Sequence, residues 1–219
     1  MKEFWNLYNK WLNADALTDA EKAELHEIAN DENEVALRFS SALSFGTAGL
    51  RGTMKTGMNA MNVHTVAHAT QGLANLIVRE GRAKDGVAIA CDSRLNSQTF
   101  AETAACVLAA NGIRVYLFDS LRPTPELSFA LRELGCVAGI NVTASHNPKE
   151  YNGYKAYWED GAQLPPEHAD TVAAEIARLD IFADVKKMPL DAALASGLVT
   201  IIGEEMDEKY LSQDRKSVV

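Results

Sequence analysis

The pattern of hydrophobic positions changes near residue 40 of the chain. Before that point apolar side chains recur at helical spacing, and the first predicted helix is marked by the aromatic residues Phe4, Trp5, Tyr8 and Trp11. Thr18 and Glu21 have the spacing of a capping box, which predicts a second helix through Ile28. A third helix is expected over Asn33–Phe39. We therefore predict that residues 1–40 form a helical extension that packs on the main domain.

From residue 63 onward, predicted helices alternate with short apolar strands. The predicted strands are Val87–Cys91, Ile113–Phe118, Cys136–Thr143 and Val199–Ile202. Strands that are apolar on both faces indicate a parallel sheet covered by helices on both sides. A turn at Asn152–Gly153 would return Tyr154–Trp158 as an antiparallel neighbour of the preceding strand. The predicted fold class is α/β, with a mainly parallel mixed sheet sandwiched between helices.

Two segments give weaker signals. Phe45–Gly52 contains three glycines, which favour a turn or a phosphate cradle, although the spacing fits neither a Walker loop nor a dinucleotide fingerprint. Glu204–Tyr210 is typical of a helix that begins but is not completed. We expect residues 206–219 to be a linker or the start of a further domain.

Composition and charge narrow the possible partners. The 219 residues carry a formal charge of −9, which gives no general attraction to nucleic acid. The apolar runs end well before membrane-spanning length, and the start of the chain does not have a signal-peptide pattern, so we expect no membrane contact and a cytoplasmic location. Cys91, Cys106 and Cys136 lie in apolar runs, and we expect them to be buried free thiols.

Polar side chains follow three of the predicted strands. Asp92 and Arg94 come after the first, Arg122 after the second, and Ser145 with His146 after the third. The carboxyl ends of parallel strands are the usual ligand-binding edge of an open sheet, and cations with hydroxyl groups suit a phosphate ester. The alternatives are that Asp92 and Arg94 pair to brace the loop, and that Arg122 is a solvated surface charge.

Thr143–Pro148 carries the strongest chemical signal. Pro148 should stiffen this loop, which presents Ser145 beyond a buried strand. The adjacent side chains of Ser145 and His146 are expected to diverge, and no Gly-x-Ser-x-Gly elbow surrounds the serine, so a hydrolase triad is disfavoured. If the two strands pair, Lys155 returns to the neighbourhood of Ser145, and alternation puts it with Tyr157 on one face and Tyr154, Ala156 and Trp158 on the other. A solvent-facing strand lysine is the alternative.

These residues resemble a known family. Thr143–Pro148 is similar to the phosphoserine loop of the α-D-phosphohexomutases. Phe45–Gly52 resembles the amino-terminal Phe-Gly-Thr-Ser-Gly-Leu-Arg-Gly segment of that family, with Ala48 in place of the more usual serine. Lys149–Gln163 resembles the longer branch that includes phosphoglucomutases and phosphopentomutases. The resemblance covers about residues 41–205 and implies the first domain of a phosphohexomutase.

The resemblance also implies a mechanism. Ser145 would carry a phosphoryl group, pass it to a sugar monophosphate and recover a phosphate from the resulting bisphosphate, which also acts as activator. Mg²⁺ would bind an oxygen of the phosphoserine at Ser145. The implied catalytic residues are Ser145, Lys155, His146 and Arg51, and the implied substrate- or phosphate-binding residues are Thr47, Arg94 and Asn147.

Other parts of the family pattern are absent from the sequence. It contains no Asp-Gly-Asp-x-Asp-Arg metal loop and no Gly-Glu-x-Ser-Gly sugar-specificity loop. We therefore expect the partners to be a phosphosugar and the missing domains of the same polypeptide, and we expect the isolated chain to have negligible mutase activity. Phosphoglucomutase activity is the first prediction for the full-length protein. Phosphomannomutase or phosphopentomutase activity, or a non-catalytic phosphosugar-binding module, are the alternatives.

Overall fold

A computed structural model describes residues 2–216. The strands are β1 Leu50–Thr53, β2 Val87–Cys91, β3 Val115–Phe118, β4 Ala138–Val142, β5 Tyr151–Trp158 and β6 Val199–Ile202. The helices are α1 Glu3–Leu12, α2 Asp19–Glu27, α3 Glu32–Phe39, α4 Val63–Arg79, α5 Ser97–Ala110, α6 Thr124–Glu133, α7 Pro166–Arg178, α8 Leu190–Ala195 and α9 Glu204–Lys216. Within the described residues, no helix is long and apolar enough to cross a membrane.

The strands form one six-stranded mixed sheet with the order β1-β5-β4-β2-β3-β6. β4, β2, β3 and β6 are parallel neighbours, whereas β5 is antiparallel to both β4 and β1. Helices cover both faces, which confirms the predicted α/β class. The parallel strands β4, β2 and β3 end side by side, so the loops that follow them share one edge of the sheet.

The prediction of a turn at Asn152–Gly153 is wrong, because both residues lie inside β5. The chain reverses earlier, where the Tyr151 N–H donates to the Pro148 carbonyl at 3.0 Å. Gly153 pairs with Arg51 of β1 on one side, and its carbonyl accepts the Thr143 N–H on the other. A Cβ at Gly153 would lie 2.5 Å from the Thr143 carbonyl oxygen, so this glycine permits close strand packing.

The two faces of β5 enter different parts of the core. Tyr154, Ala156 and Trp158 join the larger hydrophobic cluster, whereas Tyr157 joins the smaller one beside α6. This alternation confirms the predicted division of faces. Cys91 and Cys136 are buried free thiols as expected, but the free thiol Cys106 is only half-buried.

The first three helices build a separate hydrophobic cluster. Trp11 is fully buried there and contacts Phe182, with ring centroids 5.3 Å apart. The predicted capping box of Thr18 and Glu21 is present at the start of α2. Glu21 also lies 3.0 Å from the buried His64 imidazole of α4, so a polar contact joins this cluster to the α/β domain.

At the other end of the described chain, the helix expected over Glu204–Tyr210 is longer than predicted and extends to Lys216. Met206 is buried in the smaller core cluster, and Asp207 forms an ion pair with Arg122. These two contacts hold the first turn of α9 against the domain.

Candidate active site

The Thr143–Pro148 loop presents an exposed serine at the carboxyl edge of the sheet. Ser145 adopts a left-handed backbone conformation, with φ 57°. Its N–H donates to the Thr143 Oγ1 at 3.0 Å. The Asn147 N–H closes the turn by donating to the Ala144 carbonyl at 3.1 Å. Ala144 is fully buried and anchors the loop in the domain, whereas Ser145 is exposed to solvent.

The imidazole of His146 lies beside that hydroxyl. The Ser145 Oγ is 3.2 Å from the His146 Nδ1, and both side chains are exposed. The expectation that the two side chains diverge is therefore wrong. In an extended backbone successive side chains point to opposite faces, but the positive φ of Ser145 turns the chain and brings the two together.

Arg51 reaches the same loop from the edge strand β1. Its Nη1 donates to the Asn147 Oδ1 at 3.4 Å, and the side chain is exposed. The structure thus brings Arg51, Ser145, His146 and Asn147 together, as the sequence predicted. Thr47 lies exposed in the turn before β1, and within the described residues no hydrogen bond joins it to the serine loop.

The glycine segment forms the predicted turn at Gly46–Gly49, and its last residues, Leu50–Gly52, begin the edge strand β1. Gly49 has φ +74°, and a Cβ there would lie 1.8 Å from the Tyr154 carbonyl oxygen. The backbone of the segment therefore packs directly on β5. The sequence reading of Phe45–Gly52 as a turn or cradle missed β1, because Leu50 is the only buried apolar residue of this short strand.

Lys155 lies on β5, directly opposite Asn141 of β4. It shares a face with Gly153 and therefore with Arg51, which pairs with Gly153. Lys155 is half-buried and forms no ion pair with any residue that the structure describes. The buried Asn141 donates to the Thr124 Oγ1 at 2.7 Å, while its Oδ1 is buried without a partner in the described structure. Sequence reasoning missed Asn141, because it lies within an apolar strand.

Arg94 does not offer an open guanidinium to a ligand. Its terminal nitrogens donate to four backbone carbonyls at 2.6–3.0 Å, those of Ser145, Asn147, Pro148 and Tyr151. Its Nε lies 3.5 Å from the Asp92 carboxylate. The structure therefore shows Arg94 bracing the loop. Direct binding of a phosphate by Arg94 stays a prediction.

Arg122 is paired with acidic side chains rather than with the serine loop. It forms two hydrogen bonds with Asp207 of α9, at 2.6 and 2.7 Å, and lies 3.2 Å from Asp119. Glu126 is buried beside this pair, and burial followed by its hydrogen bond with Asp207 raises the pKa of Glu126 to about 7. The alternative of a solvated surface charge is wrong for Arg122, because its partners enclose it.

The fold and the loop define a three-layer α/β domain that presents a serine at the carboxyl edge of its sheet. Residues 42–181 match the family described as phosphoglucomutase/phosphomannomutase, alpha/beta/alpha domain I. The chain therefore belongs to the phosphoglucomutase/phosphomannomutase family.

Two relatives illustrate the match. A phosphoglucomutase of Staphylococcus saprophyticus is 38% identical over 196 residues, which is 90% of this chain and 35% of the relative. A phosphopentomutase of Homo sapiens is 38% identical over 154 residues, which is 67% of this chain and 25% of the relative. The chain thus spans about a third of the length of these relatives or less.

A solved structure agrees with this assignment. A putative phosphomannomutase from Thermus thermophilus matches with a TM-score of 0.59 and 28% identity, over 68% of this chain and 32% of that protein. The matched portion again corresponds to one part of a longer protein.

Proposed function

We propose that this chain is the phosphoserine domain of a phosphosugar mutase that interconverts sugar 1-phosphates and 6-phosphates, with glucose phosphates as the first candidate substrates. One observation carries the proposal: an exposed Ser145 hydroxyl, 3.2 Å from the His146 Nδ1, stands on a braced loop at the carboxyl edge of the sheet. Family membership supports it, because relatives that carry this domain are named phosphoglucomutase and phosphopentomutase.

In the proposed reaction, the phosphoryl group on the Ser145 Oγ passes to a sugar hydroxyl. The bond between phosphorus and Oγ breaks, a bond between phosphorus and the sugar oxygen forms, and the sugar hydroxyl loses its proton. The half-buried Lys155 is the proposed acceptor of that proton. The Arg51 guanidinium offsets the negative charge of the transferring group. The released Oγ takes up a proton to re-form the Ser145 hydroxyl, and His146, which lies 3.2 Å away, is the proposed donor of that proton. The bisphosphate then turns and returns its other phosphate to Ser145.

Magnesium belongs to the expectation for the longer protein. Within the residues that the structure describes, no group of three or more His, Cys, Asp and Glu side chains could hold a metal ion. The residues present therefore do not make a complete magnesium site. The one ligand that this chain would add is an oxygen of phosphorylated Ser145, so the steps above are assigned to the side chains alone.

A second candidate substrate is a pentose phosphate. The human phosphopentomutase and the staphylococcal phosphoglucomutase are each 38% identical to this chain over their matched regions, so similarity does not favour one sugar. We assign the choice between the two sugars to parts of the longer relatives that this chain does not match.

The test is phosphate transfer to Ser145 in the polypeptide that contains this chain together with its remaining domains. Glucose 1,6-bisphosphate should add one phosphoryl group to the wild type and none to Ser145→Ala, as measured by intact mass before and after phosphatase treatment. Glucose 1-phosphate and ribose 1-phosphate would then be compared as substrates. Binding of a phosphosugar without any phosphorylation of Ser145 would favour the non-catalytic module. The 219-residue chain alone should show negligible turnover.

A further inference from the structure

The terminal nitrogens of the Arg94 guanidinium donate hydrogen bonds to backbone carbonyls of the serine loop (Thr143–Pro148) and of Tyr151, the first residue of β5. Nη2 donates to the Ser145 carbonyl at 2.7 Å and to the Asn147 carbonyl at 2.6 Å. Nη1 donates to the Pro148 and Tyr151 carbonyls at 2.9 and 3.0 Å. Each terminal nitrogen carries two hydrogens, so these four bonds use every terminal donor of the side chain.

Arg94 is itself anchored to the domain beneath the loop. The Asp92 Oδ1 accepts the Arg94 N–H at 3.0 Å and the Ser97 hydroxyl at 2.9 Å. The fully buried Asn152 donates to the Ser97 Oγ at 3.0 Å and to the Leu95 carbonyl at 2.9 Å. A connected set of hydrogen bonds therefore runs from the end of β2 and the start of α5 to the serine loop.

The bond to the Ser145 carbonyl has a direct geometric consequence. Ser145 is a non-glycine residue with φ 57°, a conformation that costs free energy and persists only where surrounding contacts impose it. Arg94 fixes the peptide on the carboxyl side of Ser145, while Thr143 accepts the N–H of Ser145 on the other side. These two contacts hold the residue whose hydroxyl faces the site.

We propose that Arg94 is a positioning residue that holds the Ser145 Oγ in place through four backbone carbonyls of residues 145–151 and does not itself bind the substrate phosphate. The proposal rests on the proposed function where it concerns phosphate transfer, but its structural part does not. A lysine cannot reproduce the effect, because an ammonium has three donors and lacks the planar fork that reaches four separate carbonyls.

The structural part is tested on the 219-residue chain by hydrogen exchange. Arg94→Lys and Arg94→Ala should speed exchange of the Ser145 and Asn147 amides about tenfold or more, while the amides of β2 and β4 stay protected. Arg79→Ala is the matched control, because Arg79 is an arginine whose ion pair with Glu175 lies away from the loop. Unchanged loop exchange in a folded Arg94→Lys variant would overturn the proposal. The lysine variant keeps the test valid where Arg94→Ala fails to fold.

The functional part is tested in the polypeptide that contains all of its domains. Arg94→Ala should lower kcat about a hundredfold with KM for the sugar phosphate changed less than about threefold, because misplacement of the serine affects the reacting geometry. Added guanidinium should restore part of kcat. A large rise in KM with kcat preserved would overturn the proposal and assign Arg94 to phosphate binding.

The two failures are distinguishable. If wild-type Ser145 never becomes phosphorylated, the proposed mutase function fails, whereas faster loop exchange in the Arg94 variants still supports the positioning role. If Ser145 is phosphorylated in both the wild type and Arg94→Ala, and at the same rate, the mutase function stands and the positioning role is overturned.

Discussion

The Ser145 Oγ lies 3.2 Å from the Nδ1 of the next residue, His146, because the backbone of Ser145 is left-handed. This contact predicts that His146 assists the transfer of the phosphoryl group rather than the folding of the domain. His146→Ala should slow the loss of phosphate from Ser145 about a hundredfold when glucose 6-phosphate is added to the complete polypeptide. Single-turnover measurements by intact mass check this.

His26→Ala is the matched control, because His26 is also exposed but lies on α2. The rate at which the His26→Ala variant loses phosphate from Ser145 should equal the wild-type rate. A His146→Ala variant that transfers phosphate at the wild-type rate would contradict the assigned role.

The backbone of Ser145 gives a prediction about stability alone. Ser145→Gly and Ser145→Ala both remove the hydroxyl, but only alanine keeps the steric cost of φ 57°. The glycine variant should therefore be more stable than the alanine variant by about 1 kcal/mol. Urea denaturation of the 219-residue chain measures the difference. Equal stability of the two variants would mean that the left-handed conformation does not strain the loop.

The glycine segment before β1 gives a sharper contrast. Gly49→Ala should reduce the free energy of unfolding by at least about 2 kcal/mol, because its Cβ would overlap the Tyr154 carbonyl and its φ is positive. Gly46→Ala, three residues earlier, should change it by about 0.5 kcal/mol or less, because nothing lies within 4 Å of a Cβ there. Chemical denaturation of both variants tests the pair. Similar losses would show that β1 does not pack on β5 as described.

Glu126 predicts a pH dependence of stability. Burial, followed by the hydrogen bond with Asp207, raises the pKa of the Glu126 carboxyl to about 7 from its ordinary value of 4.5, despite the nearby Arg122. Between pH 4.5 and 7 the carboxyl holds its proton in the folded state but loses it in the unfolded state. Its contribution to the free energy of unfolding therefore falls as the pH rises through this range. Glu126→Gln should therefore gain stability relative to the wild type across that range, and the gain should stay constant above it.

Denaturation midpoints at several pH values measure this gain. Glu208→Gln is the control, because Glu208 is an exposed carboxylate on α9 outside the ion pairs of the described structure. A difference between Glu126→Gln and the wild type that does not vary with pH would contradict the raised pKa.

The main strands could be predicted from the sequence because their apolar runs carry a strong local signal. β2 was predicted with its observed bounds, and the faces of β5 followed from alternation. β1 could not be predicted, since Leu50–Thr53 contains one buried apolar residue and becomes a strand through its pairing with β5. The Asn152–Gly153 pair is a frequent turn signal, but here the missing Cβ of Gly153 serves strand packing instead.

The sequence predicted that several of the proposed site residues lie together, but it did not predict their contacts, and their roles stay predictions. The serine loop and Arg51 could be found from motifs, and the structure brings them together. The partners of Arg94 could not be predicted, because they are backbone carbonyls 51 to 57 residues away. Almost every residue has such a carbonyl, so the amino-acid type does not show which ones accept a hydrogen bond. The contact between Ser145 and His146 depends on the positive φ of Ser145, and a serine in the sequence does not predict a positive φ.

The hydrogen bonds that run from Asp92 through Arg94 to the serine loop tie Ser145, the proposed phosphate carrier, to the end of β2. A serine held in this way cannot move with the phosphoryl group that it gives up. In the proposed reaction, the sugar bisphosphate must therefore exchange its two ends by its own rotation, while it stays enclosed long enough not to escape into solution. The further domains expected around this edge of the sheet must then leave a space that is wide enough for this rotation and closed enough to retain the intermediate.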